Sequence, residues 1–242
     1  MSIHKLWNFI KIFEKEEYAD QFISGHLYLN RLSFFRDLES QEGKQDASEA
    51  VSLWMQPGDV EVNLTLSGAG NIKITSKDLG GPISIDYGYH ADLHVLCLYA
   101  IHTYGFEEIY GEINEGRAGE LQRQVMIDDR CCKLGQFAVI TQAIKFRKML
   151  RGVLQNRRQW FRDGLVRYYD EDIFSGCFAP HDAPFYKQKR FSYQKEYRFC
   201  LQTDTCGNEP LTINIGSIDH ICKKVDTAAL NSIFTLQRIC ST

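Results

Sequence analysis

The residues best suited to chemistry lie in one run, Phe191-Ser192-Tyr193-Gln194-Lys195-Glu196-Tyr197-Arg198-Phe199-Cys200-Leu201. Its pattern predicts a strand over 191–202, and a strand sends successive side chains to opposite faces. Phe191, Tyr193, Tyr197, Phe199 and Leu201 then share one face with Lys195, and Ser192, Gln194, Glu196, Arg198 and Cys200 share the other. The aromatic face is expected to meet the core. Gln194 and Glu196 would project together from the opposite face, roughly 6–7 Å apart. A carboxylate so placed accepts hydrogen bonds from a sugar diol and stabilises a developing oxocarbenium cation. The amide two residues earlier can orient a nucleophile. The plainer reading of the strand alone is a solvated polar face.

A second group sits near the N-terminus. Residues 6–13 are rich in β-formers and predict a strand carrying Lys11 and Phe13. Residues 15–24 have helical spacing, with Tyr18, Phe22 and Ile23 on one face, acidic residues toward the start and Gly25 as a stop. A short strand over 27–30 follows, holding Tyr28 and Asn30, then a compact turn or helix over 32–38 with Ser33, Phe34 and Phe35. Arg31 and Arg36 offer guanidinium forks matched to phosphate oxygens. Tyr28, Phe34 and Phe35 offer flat surfaces for a planar ring. Core filling is the simpler role for the two phenylalanines, and a surface position for the arginines.

Taken in order, the strand, the helix ending in Gly, the run Gly25-His26-Leu27-Tyr28-Leu29-Asn30-Arg31-Leu32-Ser33-Phe34-Phe35, and the late Gln194-Lys195-Glu196 resemble the ADP-ribosyltransferase fold. The resemblance extends to uncharacterised bacterial and phage proteins related to toxins of antiphage toxin–antitoxin systems. It rests on residues 9–37 and 187–201. It implies a split sheet around an NAD cleft and a reaction in which nicotinamide leaves NAD as an acceptor attacks the anomeric carbon. Glu196 would anchor the ribose and stabilise the cation, and Gln194 would orient the acceptor. Arg31 would contact the phosphates, and Ser33 with Phe34 would line the nicotinamide side. Lys11, Phe13, Tyr28 and Asn30 complete the expected NAD wall. Lys11 or Phe13 stands where the family usually has His or Arg. The acceptor would be nucleic acid, RNA before DNA, or a protein, and an antitoxin protein would restrain the activity.

Other segments must hold these groups in place. Residues 60–66 alternate and a Gly-rich turn leads to 72–74, a hairpin signal. Continuous apolar runs at 93–101 and 137–141 predict buried strands, and 165–169 and 211–215 predict further ones. Residues 39–49 and 107–119 read as polar loops, 144–162 as one basic helix, and 227–236 as a closing helix. The expectation is a single α+β domain over 1–242, built on a mixed, mainly antiparallel split sheet with flanking helices.

Composition narrows the alternatives. Hydrophobic residues at 44% and charged residues at 24% exclude wholesale disorder. No apolar run reaches the ~18–20 residues of a membrane helix, and the first residues lack a signal-peptide core, so the expectation is a cytoplasmic protein without membrane contact. Residues 145–198 hold 13 Lys plus Arg against 6 Asp plus Glu, within a chain of net charge −3. That basic segment is either a solvated face or a surface for phosphates, with Lys187, Lys189 and Arg190 as added contacts. It also supports a rival class: a non-catalytic module that holds nucleic acid or protein.

The eight cysteines include no Cys-x-x-Cys pair, so reduced and mostly buried thiols are expected, vicinal Cys131 and Cys132 included. His90, His94 and Cys97 with His220 and Cys222 have zinc-ligand types but not zinc-site spacing. Asp46 with Glu49, or Asp128 with Asp129, are the reserve candidates for Mg2+ in a nuclease.

Overall fold

The computed structural model describes residues 5–35, 49–66, 70–106, 114–157, 159–205 and 207–235. A mixed α/β chain is seen, with mostly antiparallel strands and few helices. The main sheet takes β1 (Lys5–Phe13), β2 (His26–Arg31), β7 (His94–Thr103), β8 (Phe137–Gln142), β9 (Phe161–Leu165), β13 (Glu196–Leu201), β14 (Leu211–Asn214) and β15 (Cys222–Asp226). Its path runs β14-β2-β7-β1-β8-β15, and β13 joins β7 to β9. Smaller sheets are formed by β3 (Val51–Met55) with β6 (Ile83–Asp86) and β11 (Gly176–Cys177), by the hairpin of β4 (Val62–Leu66) and β5 (Gly70–Ile74), and by β10 (Arg167–Tyr169) with β12 (Tyr186–Gln188). Among the described residues only the last pair is parallel.

The sheet divides at β7. On one edge β7 meets β13 from His94 to Tyr99. On its other edge it meets β1 from Tyr99 to Thr103 and β2 only at His94 and Val95. Between these two partners the Cys97 carbonyl points into the gap and accepts from the Lys11 ammonium at 3.0 Å. A buried carbonyl must find a donor, and here a side chain takes the place of a neighbouring strand.

One face of the sheet packs Phe9, Leu96, Leu98, Tyr197, Phe199 and Leu201 against α1 (Glu16–Ile23) and the amphipathic helix α4 (Ala143–Gln155), whose Phe22, Phe146 and Leu150 are buried. The other face holds Ile10, Tyr99, Ile101, Ala138 and Ile140 with Ile127 and Leu230. On that face, too, Val95 and Cys200 meet Leu32, Leu93 and Phe185. With both faces covered, β13 is buried along its whole length. A solvated polar face is thereby excluded for it.

Several local expectations are corrected. The strand expected over 191–202 begins only at Glu196, because Lys189–Gln194 form a 3-10 turn and Lys195 is left-handed, with φ 39° and ψ 50°. Residues 115–119 are not loop but the start of α2 (Glu115–Val125), capped by the Asn114 side chain, which accepts from the Arg117 amide. The basic helix ends at Gln155, and Arg162 lies on β9. The stretch expected as one strand over 165–169 falls at the end of β9 and in β10. The turn at 32–35 is helical, while 36–48, including Arg36 and Asp46, lies outside the described residues. Among the described cysteines only Cys131 and Cys200 are buried, and Cys177 is exposed. Among the described residues no helix is long and apolar enough to cross a membrane, and no cluster of metal-ligand types occurs.

Candidate functional site

Lys195 sets the geometry at the head of β13. Its ammonium donates to the carbonyls of Gln124 at 2.8 Å and Met126 at 3.1 Å, capping the C-terminal end of α2, where a cation is favoured. Its backbone carbonyl accepts from the Ala100 amide. Held at both ends, Lys195 turns the chain from the 3-10 turn into the strand. Gln194 therefore reaches the site from the turn rather than from the strand face that was expected. Both Gln194 and Glu196 still line one cavity of about 250 Å3, walled on the amino-terminal side by Ile10, Lys11 and Ile12. Phe35, Cys97, Tyr99 and Cys131 supply its apolar wall, and Glu49, Lys187 and Arg198 the rest of its polar floor.

The floor is a buried charge network. The Arg198 Nε donates to Glu196 Oε1 at 2.7 Å, and its terminal nitrogens donate to Glu49 at 2.9 and 3.3 Å and to the Pro184 carbonyl at 2.6 Å. Lys187 pairs with Glu49 at 2.7 Å and stands 4.0 Å from Glu196 Oε2. Two carboxylates thus face two cations, and each group is nine-tenths or more buried. Burial raises the pKa of both carboxyls, but the charges of Arg198 and Lys187 outweigh it. Glu49 falls to about 2, and Glu196 also drops below the ordinary carboxylate range. Glu196 is therefore ionised at neutral pH, and it lines the cavity. The Glu196 amide donates to the Tyr168 hydroxyl at 3.0 Å, which fixes the start of the strand. Burial moves Lys11 the other way, favouring the uncharged amine, against weaker opposing effects of Cys97 and Glu196.

The remaining expected residues divide. Lys11 reaches the cavity. Phe13 packs against Phe22 in the core, with ring centroids 5.5 Å apart. Arg31 is buried, and its guanidinium donates to the Asp92 carbonyl and to the Thr205 carbonyl and hydroxyl, so it tethers two segments instead of facing a phosphate. Tyr28 is exposed on β2, and Asn30 pairs with Val95 across the ladder. The Ser33 amide donates to the Ala91 carbonyl. Phe34 is exposed with its edge on Phe35, and Phe35 is the aromatic that lines the cavity. Glu49 and Lys187 were not foreseen in this role. Each meets Arg198 or Glu196 only through the tertiary fold, and no local spacing announces that.

The basic segment is largely neutralised by its own acids. Arg147 and Arg151 converge on buried Asp163, Arg162 on Asp182, Lys189 on Asp170 and Arg190 on Glu171. Lys187 is not a surface contact at all. Lys145, Lys148 and Arg157 remain exposed. No family model, curated protein or solved structure matches the chain.

Proposed function

We propose that the protein is an NAD-dependent ADP-ribosyltransferase with Glu196 as its catalytic carboxylate. One observation carries this reading: an ionised, buried Glu196 on the floor of a cavity walled by the first strand, with Gln194 and Lys11 beside it. Arg198 occupies one lone pair of the carboxylate, and a carboxylate has about four acceptor sites. Lys187 and the Cys97 thiol also lean on this carboxylate, and the acceptor sites that remain can take the hydroxyls of a nicotinamide ribose and stabilise positive charge at its anomeric carbon as nicotinamide departs. Gln194 donates or accepts at the incoming heteroatom. At about 250 Å3 the cavity is smaller than the roughly 300–1,000 Å3 of drug-sized sites. It suits the nicotinamide-ribose end of NAD, not the whole dinucleotide.

The split at β7, filled by Lys11, agrees with the sheet such an enzyme would use. A toxin role, with a nucleic-acid or protein acceptor and a restraining antitoxin, extends the same reading. The test is incubation with adenylate-labelled NAD and separate pools of RNA, DNA and protein. Label transferred to one pool, and lost in Glu196→Gln, supports the reading. NAD left intact in every pool overturns it.

A further inference from the structure

A wide hollow lies beside a sheet edge that has no partner strand among the described residues. It measures about 670 Å3 and runs along Arg162, Asp163, Gly164 and Leu165 of β9. A second hollow of about 390 Å3 shares His102, Tyr104 and Lys195 with it. Among the described residues β9 pairs only with β13. The Val166 amide bonds to the Glu196 carbonyl, and the Gln202 amide to the Trp160 carbonyl. The even-numbered residues of β9 are therefore turned to β13, and Phe161, Asp163 and Leu165 present their amides and carbonyls outward. Among the described residues nothing bonds these outward groups, and all of β9 is half-buried, not sealed. A row of alternating main-chain donors and acceptors at one spacing is matched by another extended backbone.

The charges around the edge indicate what that backbone carries. Asp163 is saturated by Arg147, Arg151 and the Tyr197 hydroxyl, and Asp182 by Arg162. Arg167, exposed at the end of the trough, donates to the Tyr186 hydroxyl at 3.0 Å and pairs with no carboxylate among the described residues. Acids and cations are equal in number along the trough, but its acids are already met by arginines, and Arg167 is left to offer its charge outward. We propose that the trough along β9 binds an extended polypeptide segment bearing an acidic side chain, which adds to the main sheet as a further strand. Tyr186 and Phe185 give its alternate side chains an apolar bed. This inference is independent of NAD chemistry.

The test is a displayed library of random heptapeptides selected against the full chain, then against Leu165→Pro and Arg167→Glu. The Leu165 amide points away from β13, so proline there removes a docking donor without removing a ladder bond. Selection should yield peptides enriched in Asp or Glu, weakened about tenfold or more by either substitution. N-methylation of alternate peptide amides should abolish binding. Bound peptide should slow amide exchange at Phe161, Asp163 and Leu165. A library that yields nothing above background would overturn the proposal, as would binding indifferent to N-methylation. A single-stranded oligonucleotide that protects these amides while no peptide does would assign the trough to nucleic acid instead.

Discussion

Replacing Glu49 with Gln should unfold the protein far more readily while barely changing its shape. Glu49 is the shared partner of Lys187 and Arg198. In the variant, Arg198 keeps Glu196 and the Pro184 carbonyl, but Lys187 loses the carboxylate at 2.7 Å and keeps a carboxylate only as near as 4.0 Å. Breaking one side of a buried ion pair costs about 3–5 kcal/mol. Linkage to the depressed Glu49 carboxyl points to a similar figure. The carboxyl falls from 4.5 to about 2 on folding, and each unit is worth about 1.4 kcal/mol, which makes about 3 kcal/mol. Because the folded pKa is depressed, that stability is fully present above the unfolded value near 4.5 and drains away as pH falls toward 2. For a chain of this size the loss lowers Tm by roughly 6–20 °C. Urea melts at pH 7 and pH 3 check both points. The variant should be weaker at pH 7 and should lose less on acidification than the wild type. A variant within about 0.5 kcal/mol of wild type at pH 7 would refute the view that this network holds the site floor.

Three further outcomes follow from the same geometry. Arg31→Lys should cost about 1–3 kcal/mol of stability, since a lysine cannot bridge Asp92 to Thr205; if instead it raises KM for NAD at unchanged Tm, Arg31 is a ligand contact after all. Gly25→Ala should destabilise by more than about 1 kcal/mol, seen in a urea melt, because Gly25 has φ 92° and a Cβ there would collide with the Gly216 carbonyl. Gln194→Ala should leave the melt within about 0.5 kcal/mol of wild type, since its amide has one long contact to the Tyr193 hydroxyl, while transfer to acceptor falls and NAD binding is kept.

Much of the scaffold could be read from the chain because its signals are local. Phe22 on α1, the Gly25 stop, the apolar run of β7, and alternation of Tyr197, Phe199 and Leu201 all survive into the fold, whereas Tyr18, read on the same helix face as Phe22, is exposed. The departure from the expected strand over 191–195 has a definite cause. Phe191 and Tyr193 continue the apolar alternation, but Lys195 is captured by the carbonyls closing α2, 69 to 72 residues away, and that bends the chain. Helix α2 was hidden by Gly116 and Gly119, and only the Asn114 cap marked it. In the candidate site, Glu196, Gln194 and Lys11 were legible by residue type and order. Glu49 was not, because it lies 149 residues from Arg198 and meets it only when the sheet is complete. Arg31 misled because an exposed, ligand-seeking guanidinium and a buried backbone tether have the same sequence signature.

The most direct measurement is NAD turnover by Glu196→Gln beside the wild type, with each protein's folded fraction fixed by its melt and NAD binding followed separately. With Glu196 as the catalytic carboxylate, the wild type releases nicotinamide from NAD. The amide variant, folded and still able to bind the dinucleotide, loses about a hundredfold or more of that rate. Equal turnover by the two folded proteins would contradict that role.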